Sequence, residues 1–172
     1  IILFQLDGFQ MRRISASGGR DSTRALRSQF GAPSLLPGEN WVVGHLGSGQ
    51  LALLSLEDDS VQAITRQGVL PLDSVQIDDM LLGFSPQYVA SGHLVFGTGD
   101  GILMALPFDP VSREVLGAAV PVVDGVRIEE GFGFAQFTIA PDGTLIFVPG
   151  RSQLHGHIAF IEPDGSFDTL PL

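Results

Sequence analysis

The most pointed chemical feature of the chain is a pair of histidines, His155 and His157, one residue apart around Gly156. At i and i+2 they share one face of an extended strand. Two neutral imidazoles are ligands that zinc or copper accepts. Nothing nearby in sequence supplies a third ligand, so the plainer reading is a pair flanking a turn on a hydrophilic connection. His155 and His157 are weak metal candidates only, and neither a metal nor a cofactor is expected. His45 and His93 follow the same logic more weakly; His93 falls just after a turn, where a surface histidine is the expectation.

Three further groups resemble reactive sites. Gly97-Thr98-Gly99-Asp100-Gly101 has the glycine density of a phosphate-binding loop, but that chemistry needs a helix N-terminus directly after the loop to offer its N–H groups. The next residues, Ile102-Leu103-Met104, are a strand sequence, so a hairpin turn is expected. The acids Glu57-Asp58-Asp59, Asp78-Asp79 and Glu129-Glu130 lack the alternating oxygen ligands of a calcium loop and read as solvated loop charge. No Gly-x-Ser-x-Gly elbow is present, and Gly47-Ser48-Gly49 lies within a short hairpin turn. No catalytic residue is assigned, and the sequence names no ligand-binding residue.

Composition narrows the classes further. The 172 residues hold no cysteine, which removes disulfide scaffolds, Cys-based zinc sites and thiol nucleophiles. All nine basic residues are arginine, so the chain has no Walker-type phosphate lysine, kinase ATP lysine or Schiff base. The net charge of −10 with scattered arginines argues against nucleic acid, because phosphate affinity needs clustered positive charge. No apolar run reaches the roughly 18–20 residues of a membrane span. The chain starts at Ile1 inside a strand-like Ile1-Ile2-Leu3-Phe4 and is expected to be part of a longer one.

The elements that must position any site are strands. Trp41-Val42-Val43, Leu51-Ala52-Leu53-Leu54, Leu94-Val95-Phe96, Ile102 to Leu106, Leu145 to Val148 and Ile158 to Ile161 are too short for helices. Several are too continuous for half-exposed strands, a pattern that burial on both faces produces. Ser22 to Gln29 is the only helix candidate. Turns recur in order: Pro37-Gly38-Glu39, Ser91-Gly92-His93 and Pro141-Asp142-Gly143 each precede a hydrophobic strand, and Gly47-Ser48-Gly49 and Gly99-Asp100-Gly101 separate that strand from the next. A third polar turn comes at Glu57-Asp58-Asp59, Asp109-Pro110-Val111 and Pro163-Asp164-Gly165. In register these define units over 30–67, 86–123 and 134–172, each of roughly 40 residues, with 1–25 as part of an earlier unit. Val69 to Phe84 reads as an insertion between the first two. The expected fold is all-β: a β-propeller fragment of about three and a half four-stranded antiparallel blades.

The run Pro86 to Phe96 with Gly101 to Asp109, and the run Gln136 to Gly150, resemble the WD40-like (TolB-type) bacterial β-propeller repeats, which favour Ser-x-Asp-Gly-x-Leu-x-Tyr/Phe at the turn. The resemblance covers most of residues 30–172 and is weaker in the first unit, where Leu36-Pro37-Gly38 replaces the usual turn. Such repeats occur in the C-terminal region of bacterial serine/threonine kinases, in TolB-like periplasmic proteins and beside peptidases. The resemblance implies a non-catalytic binding or sensor module with a protein or peptide ligand, in a periplasmic or extracellular setting. The alternative is a propeller domain that regulates or gates a larger enzyme. An arc of blades leaves open faces and edges, so self-association or the remaining blades of a longer chain are expected partners; a complete four-bladed ring is the rival.

Overall fold

The computed structural model describes residues 2–4, 10–13, 22–26, 29–38, 40–47, 49–129, 133–150, 159–161 and 167–169. The chain is all-β, as expected, and built from antiparallel sheets. Strands β1 (Ile2–Phe4), β2 (Gln10–Arg13) and β3 (Ser22–Ala25) form a three-stranded meander. The one helix candidate, Ser22 to Gln29, is not a helix over its first four residues: Ser22–Ala25 pairs with β2, Met11 opposite Arg24. Two turns of mostly polar residues offer no apolar stripe to hold a helix against a core.

The first large sheet runs in sequence order through β4 (Phe30–Leu35), β5 (Trp41–Leu46), β6 (Leu51–Ser55), β7 (Val61–Thr65) and β8 (Gly68–Pro71). Val69 to Pro71 belongs to this fifth strand rather than to an insertion. The two-residue turn Arg66-Gln67 folds it back, and the Thr65 hydroxyl donates to the Gly68 carbonyl at 2.8 Å. The connection proper is shorter, with two single 3₁₀ turns at Leu72–Ser74 and Ile77–Asp79.

The second large sheet holds β9 (Phe84–Val89), β10 (His93–Gly97), β11 (Leu103–Asp109), β12 (Glu114–Val115) and β13 (Val120–Val123). Its first three strands form a meander, and β12 and β13 share the far edge of β11. Four short strands come next as two hairpins, β14 (Ile128–Glu129) with β15 (Phe134–Ala135) and β16 (Phe137–Ile139) with β17 (Leu145–Phe147). The last pair is β18 (Ala159–Ile161) with β19 (Phe167–Thr169).

Side-chain alternation explains the continuous apolar runs. Val43, Leu51 and Leu53 turn toward Leu94, Phe96, Leu106 and Phe108 of the second sheet, while Val42, Ala52 and Leu54 face a separate core with Phe30 and Leu26. The first large sheet is thus buried on both faces, and every residue of β6 is buried. The second sheet uses its other face too: Val95, Leu103 and Val126 pack against Phe137, Ile139, Leu145 and Phe147. Each buried leucine contributes about 2–3 kcal/mol of transfer free energy. β17 departs from the two-faced expectation, because its outward Ile146 is 64% exposed.

One turn backbone recurs. Gly38, Gly92 and Gly143, in the turns before β5, β10 and β17, have φ of +95°, +84° and +89°. That is left-handed space where a side chain is strained. Both β4 and β9 are interrupted by a register shift, and there Ala32 and Ser85 hold φ of +45° and +51° directly before Pro33 and Pro86. β4 runs beside β9, and β9 beside β15 and β16.

Candidate binding cleft

The connection after β8 is tied to the first sheet by its backbone. Leu51 N–H donates to the Leu81 carbonyl at 2.9 Å, Gly83 N–H to Gly49 at 2.8 Å, and Arg66 N–H to Asp79 at 3.1 Å. Isolated bridges join Gln50 to Leu82 and Thr65 to Met80. Gln50 is buried beneath, and its amide donates to the Ile64 and Leu51 carbonyls at 2.7 and 2.8 Å. This segment stands as one wall of a cleft of about 950 Å³. The rest of the lining comes from the second sheet and its connections, with Phe96, Met104 and Leu106 as floor beside Thr98-Gly99 and Gly117 to Ala119.

The floor is apolar and the rim is not. Phe96 and Leu106 belong to the core between the sheets, while Ile77 and Leu82 stand 83% and 52% exposed on the wall. Arg66 and the exposed Asp78 stand at the same edge. The Arg66 guanidinium donates to the Asp78 carbonyl at 3.4 Å, and the Gln67 amide donates to the Asp79 carboxylate at 2.7 Å. An apolar floor with a few polar groups at the rim is the common form of a recognition site.

The residues singled out in the sequence are dispersed. Gly97 to Gly101 is the hairpin turn expected: Thr98 N–H donates to the Ile102 carbonyl at 2.8 Å, Gly101 N–H donates to Thr98 at 3.0 Å, and the Thr98 hydroxyl donates to the Asp100 carboxylate. Asp58 lies in an exposed turn, where hydrogen bonds from the Ser55 and Ser60 hydroxyls hold its carboxyl at about 2. Asp109 and Asp142 are lowered in the same way, Asp109 by the N–H groups of Val111 and Ser112 and Asp142 by that of Thr144. Glu129 accepts from Arg127 Nε at 3.0 Å and from the Gln136 amide at 2.9 Å. His93 Nδ1 lies 3.0 Å from the Ser91 carbonyl oxygen. Glu130, Ser48, His155 and His157 lie outside the described residues. Among the described residues no three His, Cys, Asp or Glu side chains gather to hold a metal ion, and no helix is long and apolar enough to cross a membrane.

His45 is the unexpected one. It is 5% exposed, with its ring set edge-on to Phe84 at 5.6 Å. Gly31 and Gly133 approach so closely that a Cβ on either would lie 2.7 Å from Nε2. Nδ1 has no hydrogen-bond partner among the described residues, and burial lowers the pKa from its ordinary value. The cleft itself is not legible in the sequence because its residues come from five separated stretches. The one available signal was the length of the connection after β8, since long connections in compact domains tend to be functional.

Comparison with known proteins finds no matching family model, no matching curated protein and no matching solved structure.

Proposed function

We propose that the chain is a non-catalytic binding module, built as part of a β-propeller, that takes a peptide segment of a partner protein in the cleft beside Phe96. The observation that carries the binding reading is the pairing of a fixed apolar floor with exposed Ile77 and Leu82 on a hydrogen-bonded wall. Apolar groups left at the mouth of a cleft gain from being covered, at about 25 cal/mol per Å². The propeller reading draws support from the successive antiparallel units, their face-to-face cores, the neighbouring first strands β4 and β9, and the common backbone at Gly38, Gly92 and Gly143. Blades stacked in this manner bury both faces of each sheet against neighbours.

The test is selection of random nonamer peptides displayed on phage against the folded chain, followed by retesting on Ala118→Trp. Ala118 is an exposed cleft residue, and an indole there takes up space above the floor. Selected peptides are expected to lose at least about tenfold in affinity, or 1.4 kcal/mol. A selection that yields no binder, or binders indifferent to Ala118→Trp, overturns the reading.

A further inference from the structure

We propose that the peptide in the cleft is held as an added β-strand, its backbone hydrogen-bonded along the free edge of Met80 to Leu82. This rests on the cleft being a peptide site and adds the form of its occupant: an extended, uncharged segment with apolar side chains at alternate positions. The wall is already strand-like. Met80 has φ of −58° and ψ of 133°, and isolated antiparallel bridges set Leu82 opposite Gln50 and Met80 opposite Thr65. The backbone hydrogen bonds that tie this wall to the first sheet all come from odd-numbered residues. The Asp79 carbonyl accepts from Arg66 N–H, the Leu81 carbonyl accepts from Leu51 N–H, and Gly83 N–H donates to the Gly49 carbonyl.

Successive residues of an extended chain direct their backbone groups to opposite edges. The groups of the even-numbered residues therefore point away from the first sheet. Among the described residues the Met80 carbonyl, the Leu82 N–H and the Leu82 carbonyl have no hydrogen-bond partner, while Met80 N–H donates to the Ile77 carbonyl at 3.2 Å. Met80 and Leu82 both line the cleft, and Leu82 is exposed. Acceptor, donor, acceptor in that order is a pattern that the edge of a second strand completes. A helix uses its backbone groups internally and has none to offer such an edge. The side chains of an added strand alternate, one set toward Phe96, Met104 and Leu106 and the other toward solvent. The charged side chains of the lining are Arg66 and Asp78, one of each sign, so an uncharged apolar peptide suits it and selectivity falls to the backbone edge and the floor.

The experiment uses the full chain and a capped nonamer in which leucine alternates with glutamine, titrated by calorimetry. Two further forms of the peptide are N-methylated, one at its central leucines and the other at its central glutamines. The N–H groups of the two residue types leave opposite edges of an extended peptide, so one form keeps every N–H that faces Met80 and Leu82 and the other loses them. One form is expected to bind within about twofold of the parent peptide and the other at least about tenfold more weakly. Two forms that bind alike, both as tightly as the parent or both weakened, overturn the added strand and leave the peptide site standing where Ala118→Trp still weakens the parent. A parent peptide that does not bind, or that binds Ala118→Trp equally well, overturns the peptide site and the added strand together. Self-association of the chain that Ala118→Trp abolishes assigns the edge to a second copy and overturns the peptide occupant.

Discussion

The Arg113 guanidinium lies over the Trp41 indole, 4.6 Å from the ring centroid, and joins the turn after β11 to the first residue of β5. The contact crosses from the second large sheet to the first, beside their shared core. Arg113 holds φ of +60° to reach it. Arg113→Ala is expected to lower stability by about 0.5–1 kcal/mol in urea denaturation. Because the chain has one tryptophan, the same variant should shift native emission to the red. Unchanged emission would mean that the arginine does not shield the ring.

A second tie joins β9 to the hairpins after it. The Ser85 hydroxyl accepts the buried Ala135 N–H at 3.0 Å, and the Gln87 side chain donates to the Phe137 carbonyl while accepting from Ile139 N–H, both at 3.3 Å. Ser85→Ala leaves the Ala135 N–H buried without a partner, at an expected cost of about 1–3 kcal/mol. Hydrogen exchange at Ala135 should speed up while Leu53, deep in the first sheet, keeps its protection. Equal loss at both sites would show that the tie is global rather than local.

Two glycines separate backbone strain from crowding. Gly92 has φ of +84° with open space where a Cβ would go; Gly101 has φ of +87°, but its Cβ would sit 2.7 Å from the Val126 carbonyl oxygen. Gly92→Ala should cost about 1–2 kcal/mol, the penalty for left-handed backbone. Gly101→Ala should cost about 1–3 kcal/mol more, because a backbone carbonyl cannot step aside as a side chain can. Thermal melts of the two variants check the order; equal Tm values would remove the crowding argument.

His45 gives the fold a pH dependence with a definite sign. Its pKa in the folded chain lies below the ordinary 6.5, through burial, so the unfolded chain binds the proton more readily. Stability is complete above about pH 7.5, falls as the pH drops through 6.5, and the loss levels off once the folded-state value is passed. His45→Gln should flatten the stability profile in that window. A profile between pH 7.5 and 5 that is the same in both proteins would contradict the assignment. The Asp58 turn acts at a different pH: its carboxyl is lowered from 3.8 to about 2, so its contribution is complete at neutral pH and fades as the pH falls through that interval.

The strands and turns could be read from local chemistry. Leu51 to Leu54 is continuous because two cores claim alternate side chains, and Gly38, Gly92 and Gly143 mark turns because their φ values require glycine or strain. What escaped was non-local. Val69 to Pro71 resembles any short apolar connection until the Arg66-Gln67 turn brings it back onto β7. His45 looks like a polar residue at a strand end, and only the assembly of Gly31, Phe84 and Gly133 around it makes it interior. Ser22 to Ala25 has weak preference for either regular structure, and pairing with β2 decides it. The cleft depended on placing residues from five stretches together, which no single-sequence pattern encodes.

Phe96 has two obligations at once. Its ring forms the cleft floor, and it also sits within the core between the large sheets, so close under Gly83 that a Cβ there would lie 2.3 Å from Cδ2. Reshaping that ring to suit a different guest would loosen the seam holding the two sheets together. Residues around the mouth, such as Ile77, Asp78 and Ala118, carry no such duty and can be exchanged cheaply. Variation in what this pocket prefers should therefore accumulate at its lip while its base stays fixed, and an engineer seeking new preferences should begin at the lip.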